Sequence, residues 1–319
     1  MSLDGASGNR RPDMAAVLGL RGLIVAAALL LAAGCANVPY RFGNQIEDPS
    51  TLRLRPGEAQ IEVGRPVAFV DGLGHYVVSL PTKLLLWNWH VENHHITPET
   101  QAVLEQYLDA NGLHNVKVRL NQYAPGAEWS RLFRNHSIGP VWRYTLGVIS
   151  VAYYTILPGR VFGGDDYNPY TNTINIYSDL PVICLHEGGH AKDFTGRSHD
   201  FRGWYSFMSV LPLVDLYQEA LATGDAIGYT QAHRFTDEEK AGFKVLYPAY
   251  CTYLAADALV FIPVDQWVAE AVVFLAVIPG HIVGRIRAAN VEEAPTPAPP
   301  EPEPAAPAAP EPNPAPAGN

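Results

Sequence analysis

Residues 186–190 read His186-Glu187-Gly188-Gly189-His190. A His-x-x-x-His spacing on a helix puts two imidazoles one turn apart on the same face, where both can meet a single ion. Glu187 is rotated about 100° from His186. It would therefore reach a water on the ion rather than the ion itself. Zinc brings the pKa of such a water towards about 7, and a neighbouring carboxylate can take its proton during attack on a carbonyl. The chemistry these five residues would support is hydrolysis assisted by Zn2+, with His186 and His190 expected as ligands and Glu187 as general base.

A helix must carry the motif, and the flanking residues provide one. Asp179 is placed to cap it, Pro181 suits its first turn, Val182, Ile183 and Leu185 supply apolar faces, and Gly196 can end it. Two glycines inside a helix cost roughly 2 kcal/mol relative to alanine, which points to close approach of another backbone or a ligand at that turn. Upstream, Thr173-Ile174-Asn175-Ile176-Tyr177 alternates as a strand does. Thr97 to Gly112 reads as a helix capped by Thr97 with Pro98 in its first turn, and Val116–Leu120 as a strand. An early strand is expected in residues 61–70. His90, His94 and His95 form a second histidine cluster, but it follows a packing run and is read as structural.

On the residues 186–190 the chain resembles the zincin metallopeptidases. In that superfamily the motif lies on the active-site helix, and an antiparallel edge strand just upstream binds the peptide substrate. Residues 171–178 occupy the edge-strand place here. Lys192 departs from the family pattern, which prefers an apolar residue there. A third ligand at position 196 would define the metzincins, and Gly196 excludes that subclass. Asp193 and His199 lie close to the motif. Glu219, on a following amphipathic helix, resembles the gluzincin arrangement, in which an Asp four residues later often supports a ligand histidine. That position is Thr223 here. A competing alignment makes Asp225 the ligand. Tyr229 and His233 are candidates for stabilising an oxyanion.

The N-terminus reads as an address. Arg10, Arg11 and Arg21 precede an uncharged run from Gly22 to Ala33, twelve residues, too short to span a bilayer and suited to a signal-peptide core. It ends in Leu31-Ala32-Ala33-Gly34-Cys35, which resembles a bacterial lipobox. The resemblance implies acylation of Cys35 and, with Ala36 following, sorting to the outer membrane facing the periplasm. Residues 291–319 hold five Glu, no Lys or Arg, and 11 of the 27 prolines. They read as a disordered, extended tail. Between Tyr247 and Val283 the chain is strongly apolar, but its longest uncharged run, Ala271–Gly284, is fourteen residues. That favours buried or membrane-surface helices over a spanning pair.

Composition narrows the alternatives. Three cysteines exclude a disulfide-dense scaffold, and a net charge of -10 argues against a sequence-independent nucleic-acid binder. The expected fold is α+β and zincin-like: a small mixed or antiparallel sheet packed on the active-site helix and a ligand helix, with further C-terminal helices. The expected organisation is a signal peptide over 1–34, a linker over 35–60, the domain over 61–290 and the tail over 291–319. The expected function is zinc-dependent cleavage of polypeptide in the bacterial envelope by a protein held to the membrane through its lipid anchor, with cell-wall or envelope proteins as further partners. The alternative is a non-catalytic envelope scaffold that keeps the zincin shape.

Overall fold

The computed structural model describes Tyr40 and residues 52–292. The signal peptide, Cys35, most of the linker and the tail from residue 293 lie outside the described residues. The fold is α+β, with a small mixed sheet and many helices. Strands β1 (Ile61–Val63), β2 (Lys117–Leu120), β3 (Asp166–Asn168) and β4 (Thr173–Ile176) stand in the order β1-β2-β4-β3. The first three in that order run parallel, with Val118 opposite Ile61 and Ile174, while β3 is antiparallel to β4.

This order corrects two expectations. The strand before the motif, β4, is interior and buried at all four positions. The antiparallel edge strand is the preceding β3, three residues long, which carries too few apolar positions to announce itself. The early strand ends at Val63, and the chain turns helical over Ala68–Leu73.

Strand β2 alternates in sequence, and both of its faces are buried. Val118 and Leu120 enter the main core. Lys117 and Arg119 point the other way and are neutralised there: Lys117 pairs with Glu62 at 2.7 Å, and Arg119 with Glu62 at 2.9 Å and Glu128 at 2.8 Å. A buried charge persists only when paired and hydrogen-bonded, and residues of the expected linker take part in this. Glu58 accepts from Arg131 at 3.2 Å, and Gln60 donates to the carbonyls of Leu113 and Val116. The folded body therefore begins by Leu52, itself buried, rather than at residue 61.

Helices α1 (Leu80–Leu86), α2 (Pro98–Ala110), α3 (Pro125–Arg134) and α4 (Val148–Ile156) precede the motif helix α5 (Pro181–Thr195). After it come α6 (His199–Met208), α7 (Val214–His233), α8 (Thr236–Val260), α9 (Gln266–Leu275) and α10 (Val277–Ala289). Thr97 caps α2 as expected, its hydroxyl accepting from the Thr100 amide at 3.4 Å. Leu104 and Leu108 of α2 meet Val182 and Leu185 of α5, Ile227 of α7 and Phe243 and Leu246 of α8 in one core over the sheet.

Asp179 does not cap α5, whose N-cap is Leu180 without a side-chain bond. It reaches back to α2 instead, accepting from the Thr97 amide at 2.9 Å and from the Thr97 and Thr100 hydroxyls at 2.8 and 2.6 Å. One carboxylate thus ties the start of α2 to the start of the motif helix.

Helices α9 and α10 together cover Gln266–Ala289, 24 residues of mean hydropathy 1.8 in their most apolar window, of which 22% is buried. By length and composition this pair could cross a membrane. Its α10 half lies along α8, through the backbone contact of Gly280 with Pro248 and of Gly284 with Phe243.

Candidate metal centre

Helix α5 is enclosed on several sides, which is why its sequence shows no clean polar face. It packs against α7, α2, α8 and the strands β3 and β4, and ten of its fifteen residues are buried. Pro181 opens it without losing a needed donor, and the chain leaves the helix at Gly196. The two glycines are explained by what faces them. A Cβ at 189 would lie 3.0 Å from Cα and 3.1 Å from the carbonyl oxygen of Ala222. A Cβ at 188 would lie 2.5 Å from the ring of Tyr107, which is fully buried. Absence of a side chain at 189 lets α7 approach closely enough for Glu219 to reach both imidazoles, and absence of one at 188 leaves room for the Tyr107 ring of α2.

The three donors converge. His186 Nε2 is 3.1 Å from Glu219 Oε2, His190 Nε2 is 3.3 Å from Glu219 Oε1, and the two Nε2 atoms are 3.1 Å apart. The rings stand at 89° to each other. A tetrahedral zinc site with bonds near 2.05 Å has ligand–ligand edges of about 3.3 Å. The two Nε2 atoms stand close to that separation, each has a Glu219 carboxylate oxygen at a similar distance, one donor atom from each of the three residues lies within 4.8 Å of the others, and the donor types are those zinc takes. Among the described residues this is the one group of His, Cys, Asp and Glu arranged to hold a metal ion. His186 Nδ1 lies 3.4 Å from Thr223 Oγ1. Thr223 therefore stands where the family resemblance places an Asp, and it can orient the ring so that Nε2 faces the centre.

The charges are mutually tuned. Burial pushes the Glu219 carboxyl up, but the His190 charge and hydrogen bonds from both imidazoles outweigh it and hold the group well below the usual carboxylate range. Burial lowers His190, yet the Glu219 carboxylate raises it to about 9. Glu187 is pushed up to about 8, first by burial and then by Glu219, Asp165 and Asp166, against the opposing pull of His190. The side chain is 7% exposed and makes no hydrogen bond or ion pair among the described residues. A buried carboxyl near 8 and free of partners is suited to exchange a proton near neutral pH.

The donors lie at the floor of a cleft of about 280 Å3. One wall is the edge strand and its approach, through Asp165, Asp166 and Tyr167. The other is formed by Tyr205 and Ser206 of α6 and Tyr253 of α8. Tyr253 is held well above the ordinary phenol range, by the Glu219 charge first and burial second, so its hydroxyl stays a donor. No local pattern in α8 marks this residue, because only the folding of α8 over the cleft brings it there.

Other expected residues stand elsewhere. Asp225 is taken up by the Lys192 ammonium at 2.5 Å and by the Tyr107 hydroxyl. This corrects the alternative ligand set and explains Lys192, whose ammonium also lies over the Tyr40 ring at 4.2 Å. Tyr229 is buried edge-on to Tyr107 and Tyr40, and His233 meets the Tyr229 carbonyl at 3.0 Å, so neither lines the cleft. Asp193 is on the cleft wall but accepts from Arg197 and Tyr205. His199 faces the His136 carbonyl at 3.0 Å. Of the second histidine cluster, His94 is buried 3.2 Å from Asn121 Oδ1, while His90 and His95 are exposed.

Comparison of the chain with family models, with curated proteins and with solved structures gives no match.

Proposed function

We propose that the protein is a zinc-dependent hydrolase of peptide bonds, with His186, His190 and Glu219 holding the metal and Glu187 as general base. The observation that carries this reading is the donor triangle with Glu187 beside it, buried and unpartnered, at the floor of an open cleft. Zinc held there would polarise a carbonyl oxygen and acidify a water at its open position. Glu187 takes the proton of the attacking water and returns it to the leaving amine. Tyr253 donates a hydrogen bond to the oxygen on which negative charge develops. Thr223 orients His186, and the Gly189–Ala222 contact sets the distance across which Glu219 acts.

The reading extends to place through the sequence alone. The run Gly22–Ala33 and the Leu31–Cys35 lipobox support an outer-membrane lipoprotein that meets polypeptide in the periplasm. The zincin resemblance rests on the motif and the ligand helix, and the polypeptide substrate follows from it by analogy of site.

The test uses purified protein loaded with zinc and an unfolded protein as substrate. Cleavage is expected to require the metal. Glu187→Gln is expected to keep the metal and to lose activity by roughly 10²-fold or more. Equal activity of that variant would overturn the mechanism.

A further inference from the structure

Carboxyl groups dominate the lining of the cleft. Six carboxyl groups line it (Asp165, Asp166, Glu187, Asp193, Asp215 and Glu219), and neither Lys nor Arg does. Four of them are engaged. Glu219 meets the imidazoles, and Asp193 meets Arg197 and Tyr205. Asp165 accepts from the amides of Tyr177 and Ser178 at 2.6 and 3.0 Å, and Asp166 from Asn175 at 3.0 Å. The other two, Glu187 and Asp215, make no hydrogen bond or ion pair among the described residues. Glu187 is more than nine-tenths buried and lines the cleft, so the cavity presents a polar group whose partner must come from the cleft itself, as water or as a bound ligand.

Asp215 lies one turn before Glu219 on α7, so both project from the same side of the helix into the cleft. Near it stands a further carboxylate, Asp257 of α8, which accepts from the Leu213 amide at 2.6 Å and raises the negative potential at that end. A divalent ion at the floor would offset two of the charges, and Arg197 offsets a third. The carboxylate left beside the metal position without a partner among the described residues is Asp215. Partly desolvated walls of one sign concentrate the field and select ligands of the opposite sign.

We infer that the cleft takes a polypeptide segment carrying a lysine or arginine side chain next to the reacting bond, with Asp215 as the carboxylate that selects it. This rests on the hydrolase reading for the word "reacting", but the recognition itself is a binding property. Acidic segments are excluded by the same charges, since like charges brought together in a partly desolvated cleft repel strongly.

The experiment uses three peptides identical except for a central Lys, Ala or Glu. Binding is measured by fluorescence anisotropy on the zinc-loaded Glu187→Gln protein, and cleavage on the zinc-loaded wild type. The Lys peptide is expected to bind at least roughly 10-fold more tightly than the Glu peptide, with a preference that shrinks as salt is raised. Asp215→Asn is expected to collapse the Lys-to-Ala ratio, and Asp215→Glu to restore it. Equal binding of the three peptides, or a ratio untouched in Asp215→Asn, overturns the inference. Lys-selective binding without cleavage of any peptide by the wild type sustains the inference and overturns the hydrolase reading. Cleavage of all three at equal rates does the reverse.

Discussion

Gly189 of α5 lies against the backbone of Ala222 on α7, so close that a methyl group at 189 would stand 3.0 Å from the Ala222 Cα. That contact sets how the three candidate donors stand to one another. His186 and His190 flank the glycine on one helix, and Glu219 lies one turn before Ala222 on the other. Widening the helix pair by the diameter of a methyl group would pull the carboxylate out of reach of both Nε2 atoms, now 3.1 and 3.3 Å away.

Gly188→Ala tests how tightly the site is framed. Helix propensity favours the substitution by about 1 kcal/mol. Overpacking opposes it, because the new Cβ would fall 2.5 Å from the ring of Tyr107, which cannot swing aside in a closed core. Such clashes cost typically about 1–3 kcal/mol. A net loss of about 1 kcal/mol is expected in chemical denaturation. A gain in stability would refute the packing argument.

Metal binding should follow the donor triangle. Wild-type protein is expected to retain about one zinc per chain after dialysis, and Glu219→Ala and His190→Ala substantially less, measured by elemental analysis. Zinc at a thousand times its Kd adds about 4 kcal/mol to stability, so Tm should rise with zinc in the wild type and barely in the variants. The same rise in Glu219→Ala would remove Glu219 from the ligand set.

Asp225→Asn separates the two ligand assignments. Its carboxylate pairs with Lys192 in a partly buried position, and losing a charged hydrogen bond of this kind costs about 1.5–3 kcal/mol. The variant is expected to be markedly less stable but to bind zinc with the wild-type stoichiometry. Loss of zinc from a folded Asp225→Asn protein would return Asp225 to the metal.

Tyr253→Phe deletes one hydroxyl at the cleft. With the proposed role in stabilising developing charge, kcat should fall by roughly 10²-fold while KM changes little. A change in KM alone would make Tyr253 a binding residue instead.

The pH dependence of stability should carry the mark of Glu92. Burial and then the neighbouring Asp165 push its carboxyl up from 4.5 to about 7. Its Oε1 accepts from the Gly164 amide at 2.9 Å, and Gly163, at φ +74°, is the only residue type that clears the carboxylate. Between those two values the folded chain holds a proton that the unfolded chain has released, so this contribution is present at acid pH and is lost as pH rises towards 7. Glu92→Gln keeps the neutral shape. Its stability relative to wild type should therefore increase by about 3 kcal/mol between pH 4 and pH 8. A constant difference across that range would show that Glu92 titrates normally.

Local pattern was enough for the motif and its helix. His186, Glu187 and His190 are neighbours in the chain, so their relative placement follows from helix geometry, and Pro181 and Gly196 bound the helix without tertiary help. The glycines at 188 and 189 foretold a close approach, and α2 with its Thr97 cap was equally legible. What the tertiary structure decided was everything that depends on partners distant in the chain. Asp179, placed to cap α5 by proximity, was drawn to α2 because three donors there outbid one helix end. Glu219 and Asp225 are chemically equivalent candidates six residues apart, and they point about 120° apart around the helix axis. Only the packing of α7 on α5 turned one towards the imidazoles and the other towards Lys192. Likewise β3 became the edge, and Tyr253 entered the cleft, through sheet order and the path of α8, which no local spacing encodes.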